Sequence, residues 1–254
     1  MKTFNRLSRI GALLLLPAFL LMQFAGVAQI KNVVLVHGSY ADGSGWQGVY
    51  NILTKKGYNV TIVQNPLTSF ADDVASVKRV LDKLEGPVVL VGHSYGGVII
   101  TEAGNSPKVA SLVYVAAFQP DAGENVLDLN GWAPPAPENG IIPPDSTGFS
   151  YYDKAKYHAG FCADLSKEQA AFMYASQGAM NVSGFVTRVT NPAWKTKPSW
   201  AIVATEDKSI NPEIERKMYA RSKAAVTEIK GSHVVFISQP KAVSAVIEAA
   251  AGAK

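Results

Sequence analysis

Beyond residue 30 the chain alternates between short, unbroken apolar runs and longer amphipathic stretches. Val33–Val36, Val60–Val63, Val88–Val91, Leu112–Val115 and Trp200–Ala204 are apolar and largely β-branched, and Thr227–Ile229 is a weaker run of the same kind. A strand in a half-solvated sheet alternates apolar with polar positions. Continuous runs belong instead to strands covered on both faces, as in a parallel sheet flanked by helices. The segments between them carry helical spacing or follow glycine turns: Asp72–Leu84, Gly97–Ala103 and a last helix over Pro240–Ala250. This alternation predicts a doubly wound parallel α/β sheet of five or six strands with right-handed crossovers.

The rhythm breaks between Gln119 and Lys197, where no strand is predicted and Pro134, Pro135, Pro137, Pro143 and Pro144 crowd together. A structureless loop of that length is foreign to a compact domain. The segment reads as an insertion with a proline-rich entry and short helices around Tyr151–Tyr157 and Ser166–Gln177. Inserted between strands and lying above their ends, it would form a helical cap over a site. The length of 254 residues fits one domain, residues 29–254, with the cap insertion at about 119–197.

The first 28 residues follow another logic. Lys2, Arg6 and Arg9 precede an apolar run from Ile10 to Met22, and Gly26 and Ala28 supply small residues at the −3 and −1 places of a signal-peptidase site. The apolar run is short for a span of about 20 residues and contains Pro17, so cleavage after Ala28 is expected rather than a membrane anchor. The mature protein would then begin at Gln29 and work outside the cytoplasm, periplasmic or secreted, without membrane attachment. Cleavage also changes the charge picture: the formal +4 falls by three, to +1. Nothing resembles the basic stripe of a nucleic-acid-binding protein. The one cysteine, Cys162, has no partner for an internal disulfide and reads as a small buried hydrophobe.

The chemistry concentrates at strand ends. Val88–Val91 runs directly into Gly92-His93-Ser94-Tyr95-Gly96-Gly97, a G-x-S-x-G motif between a strand and a helix. That context builds a nucleophile elbow: a strained turn lifts the Ser94 hydroxyl above the sheet and sets the Tyr95 N–H at a helix start. The first strand ends in His37-Gly38-Ser39-Tyr40, where the second oxyanion N–H is expected, assigned to Ser39 with Tyr40 as its alternative. His37 itself reads as a brace for that loop. The base is assigned to His233, which follows the last predicted strand and completes the order Ser, acid, His. Asp207, directly after the Trp200–Ala204 strand, is the preferred acid, with Glu206 and Asp121 left open.

At these residues the chain resembles the methylesterase/hydroxynitrile-lyase-like branch of the α/β-hydrolases. The likeness rests on His37-Gly38-Ser39, the Gly92–Gly97 elbow, Val115–Asp121, Asp207 and Ser232-His233, and it covers nearly all of the mature chain. It implies an α/β-hydrolase fold with six parallel strands, no metal and no organic cofactor. It further implies a small-molecule ester as substrate, cleaved through an acyl-enzyme by Ser94, His233 and Asp207. Trp132, Phe161, Phe172 and Tyr174 are candidate linings for an apolar pocket. Lyases of that branch carry a threonine and a lysine where this chain has Gly38 and Val234, which favours ester hydrolysis. A lyase on the same triad, a weakly catalytic ligand-binding protein, and a peptidase or lactonase stay as alternatives. A dehalogenase does not, because that chemistry needs a carboxylate where Ser94 stands.

Overall fold

The computed structural model describes Met1 and residues 29–252, so the predicted signal peptide lies outside the described residues. Six parallel strands form one sheet in the order β2-β1-β3-β4-β7-β8. They are β1 (Asn32–Val36), β2 (Asn59–Val63), β3 (Val88–Ser94), β4 (Val109–Ala117), β7 (Ser199–Ala204) and β8 (Ala225–Ile229). Each predicted run is present, extended by one to three residues at its ends.

Consecutive positions of β1, β3 and β4 are buried, from Val33 to Val36, Val88 to Ser94 and Ser111 to Ala117, so helices must cover both sheet faces. Burying each of these valine or leucine side chains contributes about 1.5–3 kcal/mol, which makes these three strands the stability centre of the domain. The expectation of two-sided burial fails for Val60–Val63, where only Val63 is fully buried, and β8 is mostly exposed. Both are edge strands. On β8 the guanidinium of Arg216 grips Glu228 through two hydrogen bonds of 2.8 Å, a charged cover of the kind that blunts an open edge.

Helices α1 (Gln47–Lys55), α2 (Phe70–Lys83), α3 (Gly96–Ala103), α8 (Pro212–Ser222) and α10 (Pro240–Gly252) flank the sheet. The α2 helix starts two residues earlier than its periodicity predicts, because Ser69 caps it by accepting from the Asp72 N–H at 3.1 Å. The α10 helix packs on α1 and across β4 and β7.

Between β4 and β7 lie α4 (Val126–Asn130), α5 (Lys154–Phe161), α6 (Lys167–Ala175) and α7 (Ser183–Val186). The two predicted helices are there, and α6 opens with a reciprocal capping box between Ser166 and Gln169. The expectation of no strand is corrected: β5 (Phe149–Ser150) and β6 (Met180–Asn181) pair antiparallel. Two-residue strands carry no periodic signal in a sequence. A short α9 (Val235–Ser238) links the histidine loop to α10.

Candidate active site

The sheet order reverses between β1 and β3, and the loops leaving the carboxyl ends on either side of such a switch point open a crevice. Ser39 follows β1, Ser94 ends β3, Asp207 follows β7 and His233 follows β8, so all four predicted positions emerge on this one edge.

Ser94 adopts φ +55°, a left-handed conformation that disfavours any side chain. The turn is held by close approach. A β-carbon on Gly92 would lie 2.5 Å from the Gly96 carbonyl oxygen, and one on Gly96 would lie 2.8 Å from the carbonyls of Val36 and His37. On β4 the pairing slips one residue opposite Ser94, and the displaced Ala116 takes φ +45°. Tyr40, just past the first loop, also has φ +59°. Three of the five non-glycine residues with positive φ among the described residues thus lie where the chemistry is predicted, the kind of place where backbone strain collects.

Tyr95 caps α3, and its buried side chain turns away from the crevice to donate its O–H to Asp73 at 2.9 Å. The first loop crosses directly over the serine: a β-carbon at Gly38 would sit 2.6 Å from Ser94 Cβ and 3.1 Å from its Oγ. His37 is the predicted brace. Its Nδ1–H donates to the Gly38 carbonyl at 2.8 Å, its Nε2 accepts from the Asn65 N–H at 3.0 Å, and burial lowers its pKa, keeping it neutral.

His233 is buried and its Nδ1 lies 2.6 Å from Asp207 Oδ2. The carboxylate can only accept, so Nδ1 carries the proton and Nε2 is left with its lone pair, the tautomer a general base needs. Asp207 Oδ1 accepts from the amides of Ser209 at 2.7 Å and Ile210 at 2.9 Å, which locks its orientation. The other two acids lie elsewhere. Asp121 forms an ion pair with Lys195 at 2.5 Å, and the exposed Glu206 faces Lys230 at 3.6 Å. His93, beneath the elbow, donates Nε2–H to the His233 carbonyl at 2.9 Å. Burial and the neighbouring His233 hold its pKa well below the usual histidine range.

Three carboxyl groups around this edge escaped sequence reasoning. Asp164 reaches from the loop after α5 to bond the Ser232 amide at 2.9 Å and the hydroxyls of Ser232 and Ser238, gripping the histidine loop from above. Asp73 anchors Tyr95, and Glu215 of α8 is fully buried against Asp207. None has a motif around it.

Ser39, Ser94 and His233 line a cavity of about 320 Å³ roofed by the segment between β4 and β7. Phe118, Phe161, Phe185, Ile210 and Ile214 supply apolar wall, and no lysine or arginine is among the described residues that line it. Of the four predicted lining aromatics only Phe161 is there. Trp132 stacks on the Arg221 guanidinium, Tyr174 packs edge-on against Tyr157, and Phe172 is two-thirds exposed. Helical spacing alone does not say which face of a short cap helix turns inward. Cys162 is buried, as expected, and burial pushes its thiol up to about 12. Among the described residues no group of three or more His, Cys, Asp or Glu is arranged to hold a metal ion.

The chain and its fold have relatives. An alpha/beta hydrolase of Aspergillus novofumigatus is 25% identical over 243 residues, spanning 87% of this chain and 96% of that protein. The carbendazim hydrolyzing esterase of a Nocardioides species is 35% identical over 114 residues, 39% of this chain and 47% of that protein. Methylesterases of Arabidopsis thaliana are also among the relatives. The crystal structure of a pyrethroid hydrolase from Sphingobium faniae superposes with a TM-score of 0.73 at 21% identity, over 88% of this chain and 98% of that one, and so shares the fold. The alpha/beta hydrolase family model matches residues 33–246, and the chain belongs to that family.

Proposed function

We propose that the protein is a serine esterase that cleaves small, uncharged carboxylic esters. One observation carries the reading: an elbow serine and a buried His–Asp pair of 2.6 Å open into the same apolar cavity. His233 Nε2 takes the Ser94 proton as Oγ attacks the ester carbonyl, and the N–H groups of Ser39 and Tyr95 receive the oxyanion. Such preorganised donors typically contribute about 3–4 kcal/mol each to the transition state. The tetrahedral adduct collapses to an acyl-enzyme as His233 gives its proton to the departing alcohol. His233 then deprotonates a water, which attacks the acyl carbon and releases the acid, with Asp207 stabilising the imidazolium in both halves. The esterases and hydrolases among the relatives support this class of reaction.

A lyase reading fits less well. Departing cyanide calls for a nearby cation, yet Val234 follows the histidine and is buried. The two cap lysines do not substitute: Lys156 is spent on the carbonyls of Pro137 and Asn139, and Lys154 sits over the Tyr174 ring. Turnover of a panel of p-nitrophenyl and methyl esters, beside cyanide release from mandelonitrile by the same preparation, tests the assignment. Ester turnover with Ser94 labelled by a fluorophosphonate is expected. Rapid Ser94-dependent cyanide release without ester turnover would overturn it, and binding of esters without turnover would favour a receptor. The reading includes export, with cleavage after Ala28, supported by the charge and hydropathy of the first 28 residues.

A further inference from the structure

The first turn of α8 carries two glutamates with opposite fates. Glu213 is exposed and pairs with Arg216 at 2.6 Å, as an acid at a helix start ordinarily does. Glu215, two residues on, is turned inward and wholly buried. No donor makes a hydrogen bond to either of its carboxyl oxygens. The group within hydrogen-bonding reach is another carboxyl, that of Asp207. Two buried carboxyl groups in contact cannot both be anions, so one of them holds a proton.

The surrounding donors say which. Asp207 accepts from His233 Nδ1–H, the Ser209 amide and the Ile210 amide, and each of these bonds wants an anion. Glu215 receives nothing of the kind. The Ala204 amide lies nearby and pulls toward the anion without reaching hydrogen-bond geometry. Arg216 on the same helix points outward to Glu228, and Tyr219 one turn on spends its hydroxyl on the Ala117 backbone, with Tyr114 behind it. Burial first, and then the negative charge of Asp207, push the Glu215 carboxyl well above the usual carboxylate range.

We infer that Glu215 is a protonated acid whose O–H donates a fourth hydrogen bond to Asp207, making it a positioning residue for the acid that orients His233. This rests on the Ser94–His233–Asp207 reading. A neutral donor at 215 holds the Asp207 carboxylate without competing for the imidazolium. Losing that proton at alkaline pH sets a second negative charge against Asp207 and removes the donor at the same time.

The test is the pH profile of kcat and KM on a short-chain p-nitrophenyl ester for wild type, Glu215→Gln and Glu215→Leu, with folding checked by circular dichroism. Glu215→Leu is expected to lower kcat by roughly 10- to 100-fold with KM little changed, since Asp207 loses a fixed partner. Glu215→Gln keeps an N–H donor, so it should restore kcat near pH 7 and carry activity further into alkaline pH than wild type. A Gln variant as impaired as Leu, or a Leu variant equal to wild type, overturns the inference. If the Leu variant does not fold, the Gln profile decides alone, and an alkaline limb identical to wild type overturns it. Ser94→Ala in the same assay separates the two levels: activity surviving there sinks the serine mechanism, whereas loss there with unaffected Glu215 variants sinks only the role of Glu215.

Discussion

Asp73→Asn should make the protein more resistant to unfolding at neutral pH than at pH 4, relative to wild type. Asp73 sits in the first turn of α2 with no solvent exposure, accepting from the Leu67 amide at 2.8 Å and from the Tyr95 hydroxyl at 2.9 Å. Burial outweighs both bonds, and the charge of Asp72 adds to it, so the carboxyl is raised to about 6. The folded state therefore keeps this proton where the unfolded chain has already lost it. Its stabilisation is fully present below about pH 4 and is lost progressively as pH rises to about 6, after which it stays flat. A displacement of about two pH units corresponds to about 3 kcal/mol. Asparagine does not titrate; its Oδ1 still accepts from Leu67 and its amide faces the Tyr95 oxygen. The stability difference, variant minus wild type, should accordingly shift by about 3 kcal/mol in favour of the variant between pH 4 and pH 7.5, or about 6–12 °C in Tm for a domain of this size. Thermal unfolding of both proteins at matched pH values reads it, because subtraction cancels every other titrating group. A difference that is constant across that window, or that moves toward wild type as pH rises, would refute the reasoning.

Ser94→Ala and His233→Ala should each abolish nearly all ester turnover in steady-state assays, and the double variant should be little worse, because triad members act as a unit. Asp207→Asn should cost roughly 10⁴-fold in kcat by leaving the imidazole without its orienting charge, while Asp121→Asn stays near wild type. The reverse result would move the acid to Asp121. Gly38→Ala should depress kcat strongly even if the protein folds, since the new methyl would lie 2.6 Å from Ser94 Cβ; wild-type turnover there would mean that the loop moves freely. Intact-mass analysis of the exported protein should show Gln29 at its N-terminus, and a mass that retains Met1 to Ala28 would sink the export reading.

What could be read from the sequence divides along a physical line. Strands packed on both faces need unbroken apolar runs, so β1, β3, β4 and β7 announce themselves, whereas β5 and β6 are too short to have a period. The placement of Ser94, Asp207 and His233 on one edge is legible because the elbow turn at Ser94 demands glycine and because the fold brings the strand ends together. The carboxyl groups behind them are not. Asp73 and Glu215 occupy first-turn positions of helices, where an acid ordinarily complements the helix dipole from solvent. Nothing in one sequence distinguishes that placement from burial, because the difference lies in which way the helix is rotated against the sheet.

That rotation has a consequence for how the site is held. A single buried carboxylate beside His233 would be costly to keep desolvated, and its cost falls as donors close around it. Two of the donors come from the loop after β7 itself, at Ser209 and Ile210, so they form as soon as that loop folds. The remaining contacts come from His233, 26 residues on after β8, and from Glu215 on the inward face of α8, the helix that directly follows the loop. Asp164 adds a grip on the histidine loop from the segment between β4 and β7. The Asp–His pair is therefore complete only when three parts of the chain have docked, which ties the tautomer of His233 to the finished tertiary structure rather than to any one loop.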